Sequence, residues 1–172
     1  MSELDRMIEA NREYTATFGD GGKPMPPARH VAILTCMDAR IHPEPALGLK
    51  IGDAHMIRNA GGRASDDAIR SLIISSRLLG TNEFAVIHHT DCGMLTFSND
   101  DLRSKLAEEA GSDASDIDFL PFSDLRQSVI DDVHRVLDTP HLDDSIPVSG
   151  YIYDVNSGAL ELVVPAATRA TA

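Results

Sequence analysis

Two short stretches hold both cysteines of this 172-residue chain. One is Thr35-Cys36-Met37-Asp38-Ala39-Arg40, the other His88-His89-Thr90-Asp91-Cys92-Gly93. Thiolate and imidazole are donors for zinc, and catalytic zinc keeps three such ligands with a fourth position left for water. His89-x-x-Cys92 supplies two donors in one turn, and Cys36 supplies a third from a neighbouring strand. Cys36, Asp38 and Arg40 are two residues apart, so an extended backbone turns them to one side. Asp38 with Arg40 then reads as an ion pair beside the metal, its carboxylate kept ionised and able to accept a hydrogen bond from a bound water. Two thiolates neutralise much of the zinc charge, so reaching a water pKa of about 7 depends on that pair. Asp38 could instead be a fourth ligand that shuts the site.

Other chemistries compete for the same residues. A buried Cys commonly acts as a small hydrophobe, and a Cys36–Cys92 disulfide does not suit a reducing compartment. Cys36 as a phosphatase-type nucleophile is disfavoured, because Arg40 comes too soon for a phosphate-cradling loop. His88 should face away from His89, as a packed or hydrogen-bonded side chain. His42, His55, His134 and His141 have no ligand-like spacing. Asp100-Asp101, Glu108-Glu109 and Asp131-Asp132 read as solvated faces.

The elements that must position the donors follow from periodicity. Val31 to Leu34 and Phe84 to Ile87 are apolar without alternation, as in strands covered on both faces. A third strand is expected over Ala54 to Arg58, broken by a flexible loop at Asn59-Ala60-Gly61-Gly62. Those four residues are candidates for the substrate pocket, since glycine permits close backbone approach. Ser65 caps a helix with Ile69, Leu72, Ile73, Ser76 and Leu79 on one stripe, stopped by Gly80. Helices are also expected near 3–18, near Leu102 to Ala110, and from Phe122 to Leu137. Pro43 to Leu47 reads as a short helix or turn. Val148 to Val155 and Leu160 to Val164 read as a hairpin. Strand, helix, strand order predicts an α/β fold with a mainly parallel sheet flanked by helices. Both motifs then lie at carboxyl ends of strands, where sites collect in such sheets.

The length suits a single domain, residues 1–172, with an N-terminal helical arm and linker over 1–29 and a disordered tail over 166–172. The arm is expected on the core or on a second subunit. A net charge of −12 argues against nucleic-acid and anionic-membrane partners. No apolar run approaches the roughly 20 residues of a membrane span. No signal peptide is visible in Met1-Ser2-Glu3-Leu4-Asp5-Arg6, so a cytoplasmic location is expected.

Cys36-x-Asp38-x-Arg40, then Arg58-Asn59-Ala60-Gly61, then His89-x-x-Cys92-Gly93 together resemble the β-class carbonic anhydrases, the short bacterial type in particular. The resemblance is close over about residues 30 to 95. It implies Zn2+ on Cys36, His89 and Cys92, with Asp38 and Arg40 as the catalytic dyad orienting zinc-bound hydroxide for attack on carbon dioxide, giving bicarbonate and a proton. It implies a homodimer or dimer-based oligomer, with the N-terminal helix clasping a partner subunit. Ala39 stands where the family commonly has Ser, and the chain has no Trp, so a Trp-containing bicarbonate regulatory site is absent. Relatives of this type also hydrolyse carbonyl sulfide or carbon disulfide with the same ligands. A non-catalytic zinc protein is a third reading, and Arg40 as the partner of Asp38 weighs against it.

Overall fold

Val31–Cys36 (β1) is buried along nearly its whole length and has a neighbouring strand on each edge. In a computed structural model that describes residues 1–171, β1 lies between Ala54–Asn59 (β2) and Glu83–His89 (β3), parallel to both. Next to β3 runs parallel Val148–Tyr153 (β4), which turns into antiparallel Leu160–Ala167 (β5). The five strands are ordered β2-β1-β3-β4-β5. The mainly parallel α/β architecture expected from the sequence is the one observed.

Two helices cover one face of this sheet. Asp66–Leu79 (α3) starts on the Ser65 hydroxyl, which accepts from the Ala68 N–H, and ends on Gly80 in the left-handed conformation. Leu125–Leu137 (α5) starts on the Asp124 carboxylate, which accepts from the Gln127 N–H. Their buried residues Leu72, Val129, Val133 and Val136 pack on Ala32, Leu34, Phe84, Val86, Val148 and Ile152. Those strand residues occupy alternate positions, so they share a face. The buried stripe of α3 runs through Ala68, Leu72 and Ser75. Ser76 is only partly buried, because Ser75 instead turns inward to bond His55 and Thr81. The helices Pro43–Ala46 (α2) and Asn99–Ala110 (α4) lie in the connections.

The two chain ends behave differently from each other. Glu3–Thr17 (α1) opens with a Ser2–Asp5 capping box but buries no residue. Its Leu4, Met7, Ile8 and Tyr14, with Phe18 after it, are exposed, so the helix does not pack on its own core. The disordered tail expected over 166–172 is not what forms. Ala166 and Ala167 belong to β5, and Arg169 Nε donates to Leu137 O at 2.7 Å. Arg169 also bonds Thr139 O and Asp144, so the tail straps the end of α5. Residue 172 lies outside the described residues.

The helix α5 packs closely on β4 at Gly150. A Cβ on Gly150 would stand 2.6 Å from Val129 Cγ1 and 2.9 Å from Val133 Cγ2. Gly150→Ala is therefore expected to destabilise the protein by about 1–3 kcal/mol through overpacking. Urea unfolding of the variant checks this, and an unchanged midpoint would contradict the packing.

Candidate metal centre

Parallel pairing sets Thr35 of β1 opposite Ile87 of β3, and the Thr35 hydroxyl donates to Ile87 O at 2.8 Å. The next residues past this rung, Cys36 on one strand and His88-His89 on the other, emerge at the same edge of the sheet. Cys92 follows one turn later, just before the 3₁₀ turn at Gly93–Leu95. Cys36 Sγ, a His89 ring nitrogen and Cys92 Sγ lie within 4.8 Å of one another, and all three residues are buried. Both cysteines are free thiols. The sequence-expected donors therefore converge, and they form the one such group among the described residues.

The donor set fits zinc on an internal observation. His89 Nδ1 donates to Thr90 O at 2.8 Å, which leaves the lone pair on Nε2. That Nε2 is buried and has no hydrogen-bond partner, a costly arrangement unless a cation takes the lone pair. Two thiolates beside it are the remaining donors of an N,S,S zinc site. Backbone N–H groups of Asp38 and Gly61 point at the Cys36 sulfur, and that of Met94 at the Cys92 sulfur. Without a cation the thiols share a proton. Cys92 donates to Cys36, which holds the Cys36 pKa down, while that bond to Cys36 and then burial push the Cys92 pKa up. Burial pulls His89 down, but the Cys36 thiolate outweighs it and the net shift is upward.

Asp38 is present beside this group rather than in it. Its Oδ2 lies 3.8 Å from His89 Nε2. Both oxygens are taken by Arg40, with Nε at 3.0 Å from Oδ1 and Nη2 at 2.7 Å from Oδ2. These bonds hold Asp38 far below the usual carboxylate range. Arg58 ties down the same loop by donating to the carbonyls of Cys36, Asp38 and Ile41 at 3.0, 2.8 and 3.2 Å. Arg58 was legible in the sequence only as part of a motif, without this task.

A family model described as carbonic anhydrase matches residues 31–160. Beta-carbonic anhydrase 1 of Mycobacterium tuberculosis is 43% identical over 170 residues, 96% of this chain and 100% of that protein. The chain belongs to the β-carbonic anhydrase family. A crystal structure of carbonic anhydrase from Streptococcus mutans superposes with a TM-score of 0.91 at 48% identity, covering 95% of this chain and 98% of that one. Carbon disulfide hydrolase of Saccharolobus solfataricus is also similar, 35% identical over 181 residues, 91% of this chain and 87% of that protein.

Within this carbonic anhydrase fold the Asn59-Ala60-Gly61-Gly62 stretch departs from expectation. It is a tight 3₁₀ turn with Gly61 and Gly62 buried, not a flexible loop. The Asn59 amide is spent on the turn, accepting from Arg63 N at 2.8 Å and donating to Arg63 O at 2.7 Å. A Cβ on Gly62, whose φ is +68°, would sit 2.9 Å from both Cys36 N and Thr35 C. Glycine here lets the turn press against the ligand-bearing end of β1.

The Asp131-Asp132 pair also needs correcting. Asp131 is exposed, but Asp132 is buried at 2% exposure and receives Arg63 Nε at 2.7 Å and Nη2 at 3.2 Å. His88 points to this side, opposite His89 as expected, with Nδ1 2.8 Å from Ser128 Oγ and Nε2 3.1 Å from Asp132 Oδ2. Arg63 Nη1 reaches Leu120 O at 2.7 Å, and Phe122 stacks on His88. Burial pushes the Asp132 pKa up, but the adjacent His88 and the Arg63 guanidinium outweigh it and the net shift is downward. A depressed carboxylate stabilises the fold fully above its unfolded value near 4 and loses that contribution as pH falls through its native value. Asp132→Asn should destabilise the zinc-loaded protein by about 3–5 kcal/mol at pH 7. Urea unfolding at pH 7 and below 4 measures this. The gap between the two proteins should narrow in acid, and an equal gap throughout would contradict it.

Proposed function

We propose that this chain catalyses the zinc-dependent, reversible hydration of carbon dioxide to bicarbonate and a proton. One observation carries the reading: a buried Cys36, His89 and Cys92 donor group stands beside a carboxylate that Arg40 holds away from it. Cys36, His89 and Cys92 are the residues that would hold the metal. Bound zinc supplies the Lewis acidity that makes water nucleophilic near neutral pH. Asp38, ionised and gripped at both oxygens, accepts a hydrogen bond from the attacking water and fixes which lone pair faces the substrate. Arg40 keeps Asp38 charged and in place. The turn at Asn59, Ala60, Gly61 and Gly62 forms the pocket floor and steadies the Cys36 sulfur. Ile41, Met94, Phe97, Phe122, Tyr153 and Val155 pack as an apolar cluster with the two cysteines, an environment suited to a small uncharged molecule.

Metal analysis with stopped-flow carbon dioxide hydration tests this. The expected result is one zinc per chain and a rapid hydration rate. Asp38→Asn should keep its zinc and lose roughly a hundredfold or more in kcat. Cys92→Ala should lose the metal. Full zinc occupancy in Cys92→Ala would refute the ligand assignment. The likeness to a carbon disulfide hydrolase gives the substrate a rival, so carbon disulfide and carbonyl sulfide belong in the same assay. Comparable or faster turnover of either sulfur compound would overturn carbon dioxide as the substrate. A zinc-loaded protein inactive from mildly acidic to alkaline pH would indicate a non-catalytic site.

The assembly is best read as a homodimer. The helix α1 presents Leu4, Met7, Ile8 and Tyr14 to solvent while burying nothing. The sheet face away from α3 and α5 is a groove lined by Val31, Ile33, Ala85, Ile87 and Tyr151. A second copy of the chain covers both. Analytical ultracentrifugation should give a dimer at micromolar concentration, shifted toward monomer by deletion of residues 1–18. A monomeric full-length chain would refute it. No described helix is long and apolar enough to cross a membrane. The need for two unpaired thiols fits a cytoplasmic protein.

A further inference from the structure

Arg40 is held on two sides. One edge of its guanidinium grips Asp38. From the other side, Nη1 donates to Asp91 Oδ2 at 2.6 Å and Nη2 to Asp91 O at 2.8 Å. Asp91 belongs to the turn between His89 and Cys92, so the clamp joins the loop after β1 to the loop after β3. To make it, Asp91 takes a φ of 54°, left-handed backbone that side-chain-bearing residues seldom adopt. The Asp91 side chain is 77% exposed, and an exposed ion pair adds little to fold stability. What the clamp fixes is therefore the position of Arg40.

The Arg40 guanidinium holds both oxygens of Asp38, and without it only the Arg40 backbone N–H, 2.8 Å from Oδ1, restrains the carboxylate. Its Oδ2 is already within 3.8 Å of His89 Nε2, so a released carboxylate needs only a small rotation to compete for the cation. A guanidinium anchored at one edge can swing out to solvent, since Arg40 is itself half exposed. Anchored at both edges it cannot leave without breaking two sets of bonds. The geometry points to Asp91 as a positioning residue: it holds the far edge of Arg40, keeping Arg40 on Asp38 and Asp38 off the metal donors. The inference rests on the carbonic anhydrase reading above.

The test uses the full-length, zinc-loaded protein and two variants. Asp91→Gly removes the carboxylate while easing the left-handed backbone. Asp91→Asn keeps the shape and a neutral acceptor and tolerates the same φ. Asp91→Gly should keep one zinc per chain and a thermal midpoint within about 2 °C of wild type. Its kcat/KM for carbon dioxide should fall about tenfold, and Asp91→Asn should fall less. The Arg40 Nε–H signal, assigned by its absence in Arg40→Met, should exchange faster with solvent in Asp91→Gly. In an Arg40→Met background, Asp91→Gly should cause no further loss, because its effect runs through Arg40.

A wild-type kcat/KM in Asp91→Gly overturns the inference, as does an equal loss in both backgrounds. Should Asp91→Gly lose zinc or unfold, Asp91→Asn decides, and a wild-type rate there is fatal. A wild-type protein with no zinc or no hydration activity refutes the functional reading itself, whereas an active wild type with unaffected Asp91 variants refutes this inference alone.

Discussion

The parallel pairing of β1 with β3 is the constraint on which the site depends. Register decides which residues reach the sheet edge together, and a slip of one residue would turn every side chain to the opposite face. Thr35 opposite Ile87, locked by a side-chain hydrogen bond, fixes that register one step before the donors begin. Gly62 then seats a turn against the backbone of Cys36, where a larger residue could not fit. The donor group is thus a by-product of strand alignment, with the metal as the element that reconciles it. Two buried sulfurs and an unpartnered imidazole nitrogen are poor neighbours without a cation, so metal binding and folding reinforce each other here.

Around that group the charges are arranged in two separate systems. On the open side, Asp91, Arg40 and Asp38 form a chain of alternating sign near solvent. On the buried side, Arg63, Asp132 and His88 form another, closed in by Phe122 and the start of α5. The adjacent histidines are divided between them by the alternation of the strand: His89 faces the donors and His88 faces the helix. The open system is suited to act on a reactant, and the buried one to hold the end of β3 and the turn at Gly61–Gly62 in place.

Much of this was legible in the sequence. The two central strands were readable because apolar runs of four residues, Val31 to Leu34 and Phe84 to Ile87, ended in residues of unlike chemistry, and the donors because cysteine and histidine occurred just past those ends. What escaped detection shared one cause, dependence on partners distant in the chain. Asp132 looked solvated beside Asp131, yet it falls on the stripe of Ser128 and Val136 at four-residue spacing, a signal that it faced inward. Asn59 and its glycines suggested mobility, whereas hydrogen bonds to Arg63 make the segment rigid. Arg169 in an alanine- and threonine-rich tail gave no sign that it would find the end of α5. Asp91 stood inside a motif already read, and its contact with Arg40 and its left-handed backbone distinguish it.

The strap made by the tail has a mechanical meaning. Tension on the C-terminus meets the Arg169 bonds to the end of α5 first, and then enters the sheet at its edge strand, β5. From there two hydrogen-bonded ladders, β5 to β4 and β4 to β3, separate the applied force from the strand that ends in His89. A molecule tethered to a surface by this end would shed its outermost strand before the load reached the imidazole.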